Sequence, residues 1–185
     1  WYPIAYAGMV ATAAGLLQFV ERLSDGAPTF REVTRLLPAM FARLEPGVWR
    51  DLGISNEPTL PGSSPELSSL FSGALPDGRQ MLTFGAHREM ARTRDLPVER
   101  VTRIVGWFSR RRGASPVELI DATGSQTDLE WRGGEYILTP LAALTLSQRT
   151  FWVGIADGFG EEAYVVVEVT DGRPRMLVSV EAGDC

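Results

Sequence analysis

The residues with the widest chemical reach in this sequence are a single histidine and a crowd of arginines. His87 is the only histidine among 185 residues, and a histidine side chain can act as a general base near neutral pH. It follows residues 80–84, which read as a short strand, and a strand end is a plausible place to present a catalytic group. Paired with a carboxylate, His87 would make a small hydrolase-type site. No nucleophile motif accompanies it, because G-x-S-x-G is absent and the one cysteine, Cys185, is the last residue. A lone histidine in a loop is more often a surface residue, so the sequence points elsewhere first.

All eighteen basic residues are arginines, and eight of them fall between His87 and Arg112. Glu89, Asp95 and Glu99 share that window, which therefore nets plus five, while ten arginines and twenty acids leave the rest at minus ten. Arginine forks bind phosphate, carboxylate and aromatic faces. Val98, Val101, Ile104, Val105 and Phe108 recur at helical spacing, and Asp95 and Pro97 suit a helix start. Such a helix would put Arg100 and Arg103 on one face and Arg110, Arg111 and Arg112 at its C-terminus, where the helix dipole favours cations. These five arginines are the expected partner- or anion-binding surface. Trp107 and Phe108 beside them could stack on a guanidinium, although both also fit a core stripe. The competing reading is a solvated basic face. The missing lysine excludes a lysine Schiff base, a phosphate-loop lysine and a lysine general base. A GC-rich bacterial coding bias accounts for the choice of arginine but not for its clustering.

Other chemistry is thin. Asp157, Glu161 and Glu162 sit in an acidic, glycine-rich turn whose oxygens could hold calcium or magnesium. The EF-hand spacing is missing, and a soluble hairpin loop is the simpler reading. Neither a dinucleotide nor a phosphate loop is present, so no cofactor is expected. Cys185 alone allows no intrachain disulfide and no cysteine zinc site. A net charge of −5 argues against non-specific nucleic-acid binding.

The elements that would carry these residues read as α+β. Residues 4–24 and 29–44 predict an N-terminal pair of helices. Thr29 and Glu32 resemble a capping box, and Pro38 should kink or split the second helix. Residues 53–78, rich in Pro, Gly and Ser, form a long connection with a short turn of helix at 66–71. That connection is the one candidate boundary within an otherwise single domain of 1–185. Strands follow at 80–84, 117–120, 129–132, 135–138, 151–155, 164–169 and 176–180. Gly133-Gly134 and Asp171-Gly172 mark hairpins. The expected fold is a helical pair, then an antiparallel β-meander with one further helix, 98–108, packed on it. That order is similar to cone-shaped folds in which helices close a curved sheet, a likeness of element order that implies no function. Residues 1–20 are uncharged and long enough to span a bilayer, yet poor in Leu, Ile and Phe, so a buried helix is favoured over an anchor. The first residue is Trp1, which suggests processing or trimming.

The function these features suggest is a non-enzymatic protein- or anion-binding module of a bacterial assembly. Its partner would be another protein or an acidic ligand. The alternative is a small hydrolase using His87 with a carboxylate.

Overall fold

A computed structural model describes residues 10–12, 15–18, 20–51, 53, 63–91, 100–111, 115–128, 137–158, 161–170 and 173–181. Its one helix among these residues, α1 (Pro28–Asp51), lies against a five-stranded antiparallel sheet. That middle sheet runs in the order β3 (Glu21–Arg22), β4 (Glu66–Ala74), β5 (Gln80–Met90), β6 (Arg100–Arg110), β7 (Glu118–Asp128). A six-stranded outer sheet covers its other face. The outer order is β1 (Val10–Thr12), β2 (Gly15–Gln18), β8 (Ile137–Leu146), β9 (Arg149–Gly158), β10 (Glu161–Glu168), β11 (Arg175–Glu181).

The fold therefore remains α+β, but the helical pair and the helix at 98–108 are not formed. Residues 10–22 make three short strands, 66–71 belong to β4, and 100–110 are the strand β6. The resemblance to a helix-capped curved sheet falls with them. β6 misleads because it is buried on both faces. Ile104 and Phe108 join the helix-side core, whereas Trp107 packs towards the outer sheet. A strand covered on both sides loses its period-two pattern, and scattered apolar positions then imitate a helix. The Val, Ile and Thr content of the segment is what a strand prefers.

Two cores separate the three layers. Val33, Leu37, Met40 and Phe41 of α1 meet Leu70, Leu82, Phe84, Ile104 and Phe108 of the middle sheet. On the opposite face, Leu75 and Met81 meet Trp152, Ala156, Val165 and Val167 of the outer sheet. Each fully buried side chain of this size contributes about 1.5–3 kcal/mol. Trp152 is fully buried, with its ring 5.2 Å from that of Trp107 and directly over Gly73.

Helix α1 runs unbroken through Pro38 and Pro46. Each proline removes the bond to the carbonyl four residues earlier, here Thr34 and Ala42. All four residues are exposed, so water satisfies the freed carbonyls. Pro28 opens the helix at a position where its missing N–H costs nothing. Thr29 and Glu32 turn outward to neighbours rather than closing a capping box, as described below. Val10–Thr12 and Gly15–Gln18, inside the uncharged stretch, pair as antiparallel strands. No helix among the described residues is long and apolar enough to cross a membrane. Trp1, Cys185 and the Gly133-Gly134 turn lie outside the described residues.

Candidate functional site

The helix face of β6 binds its arginines to the scaffold. Arg110 donates from Nη1 to Thr29 Oγ1 at 2.8 Å and from Nη2 to Glu32, whose other oxygen accepts the Val117 amide at 2.9 Å. Arg100 donates to Gln126 Oε1 at 2.9 Å. On β5, Arg88 donates from both Nε and Nη2 to Glu45, a carboxylate only 1% exposed, and lies over the Phe41 ring. Burial holds the Arg88 guanidinium below the ordinary arginine value. These arginines clamp α1 and β7 to the middle sheet. Because β6 is a strand, Arg100 and Arg103 fall on opposite faces rather than on one. Arg111 is exposed beyond the strand end, and Arg112 lies outside the described residues.

His87 lies inside β5 (Gln80–Met90), not in a loop beyond a strand ending at residue 84 as the sequence suggested. It is directly opposite Glu66 of β4 on one side and Arg103 of β6 on the other. These three side chains therefore share a face. The register between β4 and β5 slips at Ser68, the extra residue of a β-bulge, and a bulge re-aims the side chain it carries. Ser68 Oγ lies 2.8 Å from His87 Nδ1, and Glu66 Oε2 lies 3.8 Å from His87 Nε2. A pocket of about 340 Å³ opens here, lined by Ser63, Ser64, Glu66, His87, Arg88 and Glu89. Among the residues picked out in the sequence, His87 and Arg103 are brought together. Ser68 and Glu66 escaped notice because they sit in the Pro/Ser-rich connection. The alternation of Glu66 with Leu67 was the available signal, and nothing local marks the bulge that brings in Ser68.

The acidic turn joins β9 to β10, with Glu162 paired to Asp157 and Glu161 to Gly158. The side chains of Asp157, Glu161 and Glu162 lie outside the described residues.

The outer face of the outer sheet was not anticipated at all. Cross-strand pairing aligns Ala142, Val153, Val166 and Val178 in one row across β8–β11. Thr139, Ile155, Tyr164 and Val180 form the next row. Leu144, Phe151, Glu168 and Arg175 form a third, charged at one end. There Glu168 accepts from Arg149 Nε at 2.7 Å and Arg175 Nη2 at 2.6 Å, and Arg149 lies over Phe151. The hydrogen bonds from Arg149, then Arg175, pull the Glu168 carboxyl down to about 2. Tyr164, Val178 and Val180 are 53%, 47% and 56% exposed. β11 ends the sheet and is exposed along its whole length. At strand spacings of about 4.8 Å and 6.8 Å per residue pair, the two uncharged rows cover on the order of 260 Å².

The chain matches no protein-family model, no curated protein and no solved structure.

Proposed function

We propose that the protein is a docking module that binds another protein along β11 and the apolar outer face beside it. The observation that carries this reading is the field of Val153, Val166, Tyr164, Val178 and Val180, which no described element covers. An apolar patch of a few hundred Å² is the size of the largest patch on a typical monomer, and that patch is often functional. An interface of standard size needs about 800 Å² from each partner. A partner strand added along β11 supplies the remainder, with main-chain hydrogen bonds for affinity and the apolar rows for specificity. An acidic ligand has less support, since Arg88, Arg100 and Arg110 are committed to Glu45, Gln126 and Glu32.

Lysines on edge strands block strand addition, so Val178→Lys with Val180→Lys is the test. The double variant should keep the wild-type circular dichroism and melting temperature yet lose the protein that crosslinks to wild-type chain in extract of the source cell. Equal capture by both chains, or no specific capture by wild type, would sink the reading.

A further inference from the structure

We propose that Ser68, His87 and Glu66 form a second, independent site that hydrolyses short-chain carboxylic esters. The arrangement has the three parts that serine-based acyl transfer needs: a hydroxyl, a base bonded to it, and a carboxylate on the far side of the base. Ser68 Oγ is 2.8 Å from Nδ1, and Glu66 faces Nε2 at 3.8 Å. The carboxylate favours the ring tautomer with its proton on Nε2. Nδ1 is then free to accept the serine proton. The two ring nitrogens exchange the roles they hold in the usual serine triad, and the carboxylate is exposed and at ion-pair distance rather than buried and hydrogen-bonded. The bulge takes Ser68 out of the strand ladder and brings its hydroxyl to His87, whose ring lines the pocket.

The chemistry balances without any further reagent. Ser68 Oγ bonds to the ester carbonyl carbon as its proton passes to His87 Nδ1. The imidazolium so formed presents its Nε2–H to Glu66. Collapse of the tetrahedral adduct breaks the bond to the leaving oxygen, which takes the proton back from Nδ1. Water then repeats the sequence on the acyl-serine, releasing a carboxylic acid and restoring the hydroxyl. Arg103, register-paired with His87 on the neighbouring strand β6, adds a cation to this face of the sheet. The pocket volume of about 340 Å³ is near the lower end for small-molecule sites. Glu66 and Glu89 on its walls select uncharged or cationic acyl groups over anionic ones.

The test uses the full chain with 4-nitrophenyl acetate as substrate and a fluorophosphonate as label. Wild type should release nitrophenol with an initial burst, and mass spectrometry should place the phosphonyl group on Ser68. Ser68→Ala should abolish burst and label. His87→Gln should lower kcat at least 100-fold, the low end of what a general base supplies. Glu66→Gln, a positioning change, should lower kcat about tenfold with burst amplitude and KM unchanged, whereas loss of folded enzyme would shrink the burst in the same proportion. His87 and Ser68 are not in the core, so unchanged melting curves should accompany these losses. Turnover that survives Ser68→Ala, labelling that spreads equally to Ser63 and Ser64, or no labelling of wild type would each overturn the assignment. The lysine variants of β11 should leave this activity untouched, so either site can fail without the other.

Discussion

Removing Glu45 should expose how the middle layer is held. Its carboxylate is 1% exposed and takes two hydrogen bonds from Arg88, whose side chain is 13% exposed. Glu45→Ala leaves a guanidinium largely out of water, over the Phe41 face, without its carboxylate. Breaking a buried pair by removing one partner costs about 3–5 kcal/mol. The remaining exposure of Arg88 puts the expected loss near the lower end, about 3 kcal/mol. With a urea m-value of about 2 kcal/mol/M, the unfolding midpoint should fall by about 1.5 M. The double change Glu45→Leu with Arg88→Met removes both charges together and should return to within about 1 kcal/mol of wild type. Arg88→Met alone strands the carboxylate, so its penalty should shrink on acidification as Glu45 takes up a proton. Urea titrations of wild type, Glu45→Leu, Arg88→Met and the double variant give the coupling energy directly. A loss below about 0.5 kcal/mol for Glu45→Ala would mean that water reaches the pair, and the picture of an arginine clamp would be wrong.

Other perturbations follow from the same geometry. Ser147 and Gln148, the β8–β9 turn, hold φ values of 46° and 69° without a glycine. Ser147→Asn with Gln148→Gly should therefore stabilise by about 1 kcal/mol and raise Tm by about 2–4 °C in a thermal melt. A Cβ on Gly73 would lie 2.7 Å from Trp152 Cζ2. Gly73→Ala should accordingly cost about 1–3 kcal/mol, and Trp152→Phe in the same chain should recover part of it. Glu168, lowered from 4.5 to about 2, contributes stability above the ordinary carboxylate range that is lost as pH falls through that interval. Carboxyl carbon NMR should show this titration, and Arg149→Gln should move it back up.

The strands at 151–155, 164–169 and 176–180 could be read in advance because two turn residues and β-branched runs act locally. The apolar face they share could not, since cross-strand rows exist only once a register is set. β6 was hidden by burial on both sides, and β4 by the prolines around it. His87 was visible as a residue type, but Ser68 became its neighbour through a bulge that no local pattern announces. The arginine cluster was visible as charge. Glu45 and Glu32, the partners of Arg88 and Arg110, lie some 40–80 residues away, a separation that hid the fastening role of these two arginines.

The outer sheet joins the two ends of the described chain, because β2 pairs with β8 across more than a hundred residues. A ribosome adding 5–20 residues per second makes the β8 partner only ~6–25 s after β2 has emerged. During that interval the middle sheet and α1, whose strands are consecutive in sequence, can assemble on their own. The apolar face of that sheet around Met81 and Trp107 then waits without its cover. Synthesis thus has a timed window in which a holding chaperone, or premature association with a neighbouring nascent chain, competes with the arrival of Trp152.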